Sequence, residues 1–320
     1  LSPPRLFYKG RLSGEDFLHS AASPPAPDAI QKNFLGKYLF QETNPLEMCS
    51  MNFKDILCRR MRRAILGPEV RVAKIRSFLE KVQRENLPPR EKHEELSLGI
   101  VVPCYGHAQY LRKTAESIKF QTRLPNEVFF VDDASPDNSA EILVGVAEEW
   151  KGILPCTILT NEINSGQAAS LNLAISKIKS NLVMILNDDD YLFLDAVEIM
   201  LDLFDRYREV YLIGSHSIHF RHDRELSSRP DRIAGYIADP RELQLVIRQP
   251  EAVISYENYN DLNMTHTGSC FLKSAWKAVG GYYTEKRDRL VPFSDRDFQL
   301  RINALFPVGL SPEIPFSFWR

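Results

Sequence analysis

The sequence predicts an α/β protein: a mostly parallel sheet with helices on both faces, preceded by a partly helical amino-terminal extension. Three observations carry this. From Leu98 onward, short apolar runs alternate with segments whose apolar residues recur at helical spacing. The strand candidates are continuously apolar rather than alternating, as strands covered on both faces are. Two of them run straight into acidic residues: EVFFV into Asp132 and Asp133, and NLVMILN into Asp188, Asp189 and Asp190. Ligands of open α/β sheets bind at the carboxyl ends of strands.

Residues 1–96 differ from the remainder. SAASPPAPDAI is a loop by composition. Val72, Ile75, Leu79 and Val82 predict a helix between Val70 and Glu85. Arg59, Arg60, Arg62, Arg63, Arg71, Lys74 and Arg76 make this stretch basic, which suits either a solvated helix face or contact with an anionic partner or membrane surface. LPPREKHEE reads as a linker, because Pro88 and Pro89 stop the helix.

The main domain is expected over 97–320. LGIVV is its first strand, and Leu111, Ala115 and Ile118 stripe the helix that follows. EVFFV is the second strand, and Asp137 or Asn138 is placed to cap a helix striped by Leu143, Val146, Ala147 and Trp150. ILPCTIL is the third strand. Asn164 or Ser165 caps the next helix, striped by Leu171, Ala174, Ile175 and Ile178. NLVMIL is the fourth strand, and a helix from Asp195 to Tyr207 follows, with Asp195 as its cap. This β-α order implies parallel strands with crossover helices. VYLIGSHSIHF and TGSCFL read as further strands, RELQLVIR as a helix, and SDRDFQLRINAL as a helix with Phe298, Ile302 and Leu305 inward.

Composition narrows the function. The 320 residues carry 40 Lys and Arg against 42 Asp and Glu, a net charge of −2. No global charge argues for nucleic acid. No apolar run approaches the roughly 18 residues of a membrane span, and LSPPRLFYKG lacks the order of a signal peptide. The sequence starts at Leu1 rather than Met, so an anchor outside it stays open. Five cysteines without a CxxC pair argue against a zinc site or a disulfide framework. A reducing compartment fits them, and the expectation is a cytoplasmic protein with peripheral membrane contact left open. There is no GxxxxGK[ST] loop, and no GxGxxG follows the first strand.

The acidic triple is the most telling feature. Carboxylates about 6 Å apart repel by roughly 3 kcal/mol at an effective dielectric near 20. A divalent cation with oxygen ligands relieves that repulsion. The ordered pieces VVPCYGHAQYLRKTAESIKFQT, EVFFVDDASPDNS, NSGQAASLNLAI, LVMILNDDDYLFLDAV, GSCFLKSAWKAVGGY and SDRDFQLRI together resemble the family 2 glycosyltransferases, which have the GT-A fold, a Rossmann-like sheet. The resemblance covers roughly 97–320. It implies a nucleotide-sugar-binding half over 97–190 and an acceptor-binding half over 191–320. The implied activity is metal-dependent, inverting transfer of a sugar, of hexosyltransferase type, to a hydroxyl acceptor in glycan or cell-surface polysaccharide synthesis.

The same resemblance assigns residues. Pro103 and Tyr105 lie beside the base. Asp133 accepts from a base imide N–H, which favours UDP or dTDP donors; turn formation in DDASPDN is the alternative. Asn164, Gly166 and Gln167 approach the donor phosphates and ribose. Asp188 contacts ribose and donor sugar, Asp189 is the ligand of Mn2+ or Mg2+, and Asp190 orients the loop. Gly268 permits close approach of the acceptor, or marks a strand bulge. Asp295 is the general base, with Asp297 better suited to the helix amino terminus. The triplet His216, His219 and His222 has neither helix nor strand spacing for a metal. Asn187 and Ser294 depart from the family's Asp and Glu. They leave a second reading open, a catalytically silent relative that binds a sugar nucleotide or a partner. A sugar-phosphate nucleotidyltransferase fits less well, since CYGHAQYL is not a Gly-rich basic loop.

Overall fold

The computed structural model describes residues 68–82, 95–250, 262 and 264–320. The expected loop at 20–30, most of the basic run, and the linker up to residue 94 lie outside these. Helix α1 spans Pro68–Lys81. The expected alternation follows: β1 (Leu98–Cys104), α2 (Ala108–Lys119), β2 (Glu127–Asp132), α3 (Ser139–Trp150), β3 (Cys156–Thr160), α4 (Gln167–Lys177) and β4 (Leu182–Ile185). After it come β5 (Tyr191–Leu192), α5 (Ala196–Arg206), β6 (Leu212–Ser215), β7 (Ser217–His219), β8 (Val246–Arg248), β9 (Cys270–Leu272), α6 (Lys273–Ala278), α7 (Ser294–Leu305), β10 (Val308–Ser311) and β11 (Ser317–Trp319).

The main sheet has the order β3-β2-β1-β4-β9-β6-β10-β8. The first four strands are parallel, with Cys104 opposite Asp132 and Val101 opposite Ile185. The β9 strand is antiparallel to both β4 and β6. Every residue of β1 is buried, which explains its unbroken apolar run: helices cover both faces. β3, at the edge, is half-exposed. The chain winds outward from β1 to β3 and returns to β4 on the other side of β1. That reversal leaves a crevice at the carboxyl ends of β1 and β4. A small second sheet, β5-β11-β7, closes beside it.

The predicted stripes of α2, α3 and α4 face the core: Leu111, Ala115, Ile118, Leu143, Val146, Trp150, Leu171, Ala174 and Ile175 are buried, whereas Ala147 of the α3 stripe is only half-buried. Cys104 and Cys270 are buried free thiols, and Cys156 lies on the half-exposed edge. Among the described side chains of α1, Ile75 and Phe78 are buried. The reading of a stripe through Leu79 and Val82 is thereby rotated, since both are only partly covered.

Four local expectations are corrected. RELQLVIR is not a helix but a 3-10 turn at Pro240–Glu242 followed by β8. Leu243 and Leu245 are buried while Gln244 and Val246 are exposed, a period of two that suits extended chain. VYLIGSHSIHF is split at His216 between the two sheets. There the Ser215 hydroxyl donates to the His216 carbonyl (2.8 Å), while Ser217 bonds Ser317 of the other sheet (2.6 Å). Asp195 does not cap α5; its carboxylate accepts from the N–H groups of Ile233 (2.8 Å) and Ala234 (3.2 Å). Leu305, expected inward, is only half-buried. Asp137 accepts from Ser139 N–H at the start of α3 (3.1 Å) and from Ala108 N–H at the start of α2 (2.9 Å), serving two helix ends.

α7 carries a fully buried ion pair, Asp297 with Arg301 at 2.9 Å. Asp297 also accepts from Leu290 N–H (2.6 Å), and Arg301 donates to the Val279 carbonyl (2.6 Å) and lies 3.7 Å over the Tyr283 ring. Asp297→Ala strands the guanidinium and the Leu290 N–H in the core. Stability is expected to fall by about 3–5 kcal/mol, read as a lower denaturation midpoint at an unchanged slope.

Candidate active site

The crevice between β1 and β4 gathers the acidic residues. Asp188, just past β4, accepts from the Tyr105 N–H (2.9 Å) and pairs with His107 Nδ1 (2.9 Å), both just past β1. The Asp188 carbonyl accepts from the Thr114 hydroxyl of α2 (2.8 Å). Ligand atoms of His107, Asp188 and Asp189 lie within 4.8 Å of one another. One nitrogen and two carboxylate donors suit a divalent cation such as Mn2+. The Asp189 carboxylate accepts no hydrogen bond among the described residues and is half-exposed, so it is the donor open to such an ion.

Burial raises the Asp188 carboxyl above its ordinary range, although the His107 and Tyr105 contacts oppose this. Burial depresses His107, but the hydrogen bond and charge of Asp188, with help from Asp189 and Asp137, outweigh it and leave the imidazole raised.

Asp190 is fully buried beneath this group. It accepts from the Asn187 amide (2.9 Å) and from the Arg320 N–H (2.9 Å). Burial, reinforced by the charge of Asp189, pushes its carboxyl up to about 7. Asn187 bridges further, its side-chain oxygen accepting from Gln167 (3.0 Å). The amide at position 187 donates to Asp190, which an ionised carboxylate there could not do.

Asp133 is buried at the end of β2. It accepts from Asn161 Nδ2 (2.6 Å), Ser165 N–H (2.9 Å) and Gly166 N–H (2.7 Å). Three internal donors leave this carboxylate one lone-pair site. Neither Asn164 nor Ser165 caps α4; the cap is Gly166, at φ +84°. Asn164 is exposed, and its side-chain oxygen accepts from Gly166 N–H (3.1 Å). Pro103 is buried within β1, whereas Tyr105 is 48% exposed with its ring free on the crevice rim. Gly268, at φ +75°, is buried; a Cβ there would lie 2.7 Å from the Ser317 hydroxyl, so the missing side chain makes room for β11. Asp295 is half-exposed in the first turn of α7 and accepts no hydrogen bond among the described residues. Its charge reaches a buried pair, His266 Nε2 and the Tyr282 hydroxyl, 2.9 Å apart. His266 is held below its usual range by burial, against the pull of Asp295.

Two residues escaped the sequence reading. His107 sits three places past β1 in CYGH, and only its distance to Asp188 reveals it. Arg320 reaches back over the acidic loop: Nε lies 3.4 Å from the Asp189 carbonyl, Nη2 donates to the Tyr191 hydroxyl (2.7 Å) and pairs with Asp223, and the guanidinium stacks 3.9 Å over Tyr110. The His216, His219 and His222 triplet forms no metal-ligand group among the described residues.

The profile of glycosyl transferase family 2 matches residues 99–275. The chain belongs to this family, and its fold is GT-A. It is similar to chondroitin synthase of Pasteurella multocida (strain Pm70), 29% identical over 140 residues, which are 43% of this chain and 14% of that protein. The chain thus matches only a small part of that relative's length. Among solved structures, S. aureus TarS 1-349 in complex with UDP-GlcNAc aligns with a TM-score of 0.52 at 15% identity, over 70% of this chain and 58% of that one. The mannosyltransferase PcManGT of Pyrobaculum calidifontis, in complex with GDP-Man and Mn2+, aligns with a TM-score of 0.50 at 18% identity, over 79% and 64%.

Asp190 gives the site a pH signature. Its folded value of about 7 exceeds the ordinary 3.8, so the folded state holds a proton that the unfolded chain releases. Stability from that proton is full below about pH 4 and is lost as pH rises toward 7. In chelator, Asp190→Asn should flatten this loss. The variant's melting temperature relative to the parent should rise between pH 5 and pH 8.

Proposed function

We propose that the chain is a metal-dependent, inverting glycosyltransferase. It moves a sugar from a nucleotide diphosphate of UDP or dTDP type to a hydroxyl acceptor, in glycan or cell-surface polysaccharide synthesis. The observation that carries this is the His107–Asp188–Asp189 group in the crevice between β1 and β4. In this reading 97–190 form the donor half and 191–320 the acceptor half. The exposed ring of Tyr105 offers a face for the base, with Pro103 behind it. The remaining lone pair of Asp133 takes the imide N–H. Asn164, Gly166 and Gln167 line the phosphate side, and Asp188 the ribose and sugar. Asp189, with His107, holds Mn2+ or Mg2+; the imidazole nitrogen favours manganese over an all-oxygen magnesium site. Such a cation supplies positive charge for the departing diphosphate.

The acceptor side falls to Asp295. Of the two acids in SDRD, Asp297 is committed to Arg301 and Leu290, which leaves Asp295 to act on substrate. The acceptor oxygen attacks C1 as the C1–O bond to the diphosphate breaks, and Asp295 takes the hydroxyl proton. Attack opposite the leaving group inverts the anomeric centre. The similarity to a chondroitin synthase supports polysaccharide synthesis. The UDP-GlcNAc complex of TarS supports a uridine donor, and the Mn2+ of PcManGT supports the metal. That second complex holds GDP-Man, so the fold by itself does not select the base.

A purified chain that releases UDP from UDP-sugars with manganese is an enzyme; the silent reading expects none. Calorimetry should show UDP binding that chelator abolishes. Asp189→Ala should not regain it in excess manganese, and His107→Ala should weaken Mn2+ about tenfold or more. Strong UDP binding in chelator contradicts the metal assignment.

Asp295→Asn keeps the shape and removes the proton acceptor. Turnover should fall by roughly 10² or more with donor affinity within about threefold, and product NMR should show the anomer opposite to the donor's. A retained anomer or near-parent turnover rules this mechanism out.

A further inference from the structure

The basic stretch upstream of the family-matched segment has no part in the reaction above. Yet α1 packs against α7, the helix that carries Asp295, burying Ile75 and Phe78. Its Lys74 Nζ donates to the carbonyls of Arg289 (2.7 Å) and Arg287 (3.3 Å). Arg289 in turn gathers its own segment: the guanidinium donates to the carbonyls of Tyr283 (2.8 Å), Thr284 (3.0 Å) and Pro292 (3.2 Å). That segment runs through Phe293 directly into Asp295. So α1 is fastened to the chain leading into the acceptor side.

Between α1 and this segment lies an open cleft of about 510 Å3. The volume falls within the roughly 300–1,000 Å3 typical of small-ligand sites. Lys74, Lys81 and Arg287 line it against the single carboxylate of Asp288. Its apolar surface comes from Phe78, Leu290 and Tyr283. Lys74 is spent on backbone carbonyls, but Lys81 is exposed and Arg287 reaches Asp288 only at 3.7 Å. Two cations beside the partly exposed Tyr283 ring suit a sugar ring that carries a negative group. A membrane surface would call for projecting apolar residues on a flat or convex face. Here the face is concave, and Phe78 and Leu290 are buried.

We infer that this cleft is a subsite for an anionic acceptor, a glycan bearing carboxylate or phosphate groups that Lys81 and Arg287 hold. The inference rests on the glycosyltransferase reading and names its acceptor class. The test uses the full chain and calorimetry at low salt. The probes are a hexasaccharide of alternating glucuronic acid and N-acetylglucosamine, a glycerol phosphate hexamer, neutral chitohexaose, and vesicles of phosphatidylcholine with phosphatidylglycerol. At least one anionic oligomer should bind about tenfold or more tighter than chitohexaose and weaken with salt. The better of the two identifies carboxylate or phosphate as the source. The double variant Lys81→Glu/Arg287→Glu, both on exposed side chains, should lose about tenfold or more of that affinity. Its melting temperature and its UDP affinity in manganese should match the parent's. Equal binding of neutral and charged oligomers, an unaffected double variant, or binding to vesicles alone overturns the inference. Failure of the parent to bind UDP would instead overturn the donor reading, whatever the oligomers do.

Discussion

The crevice depends on one buried carboxylate. Asp188 ties the end of β4 to the end of β1 through the Tyr105 N–H and His107, while its carbonyl anchors α2 through Thr114. Burying a charge is costly unless donors replace its water, and hydrogen bonds to an ionised acceptor are the stronger kind. The donors come from the chain that β1 delivers, so the strand order and the acidic loop require each other. The opposite edge of the sheet shows what full closure looks like. There Glu127 accepts from Lys179 N–H, Ser180 N–H and the Ser180 hydroxyl, Asn126 from Leu98 N–H, and Asn181 from Ser97 N–H. Those side chains seal the amino edge. At the carboxyl edge Asp189 is left with no such donor among the described residues, and the reactive chemistry is proposed there.

Charge around the crevice is arranged in layers. Asp190 lies below, fully buried, joined to Asn187 and through it to Gln167 at the start of α4. Arg320 lies above, bonded to Tyr191 and stacked on Tyr110. Lys113 and Arg320 both meet Asp223, so the irregular segment after β7 is tied to α2 and to the acidic loop by charge. On α7, Asp297 is buried in its pair with Arg301, while Asp295, two residues away, stays half-exposed.

Much of this was legible in sequence because it is local. LGIVV, EVFFV and NLVMIL are unbroken apolar runs, and each became a strand of the parallel half. Leu111, Ala115 and Ile118 repeat at helical spacing and face the core. Asp297, read from the sequence as a carboxylate suited to the helix amino terminus, lies in the first turn of α7 but is paired with Arg301 inside the protein. What failed depended on partners distant in sequence. Asp195 looked like a cap, but Ile233 and Ala234, nearly forty residues on, take its carboxylate. VYLIGSHSIHF looked like one strand, yet the serines on either side of His216 belong to different sheets. RELQLVIR is short and apolar enough for either period, and only burial of Leu243 and Leu245 decides it. His107 had no motif to announce it; the strand end brings it to Asp188.

The antiparallel β9 has a consequence for how the molecule is made. Its neighbours β4 and β6 precede it in the chain, and β9 separates them as their shared partner. Until Cys270–Leu272 leave the ribosome, β4 presents a bare row of peptide groups on one side. At about 5–20 residues per second, the roughly 85 residues after Ile185 take some 4–17 s to appear. An unpaired, apolar edge of that kind invites pairing with other chains. The nascent protein therefore passes through an interval with a half-built sheet whose open edge is Leu182–Ile185.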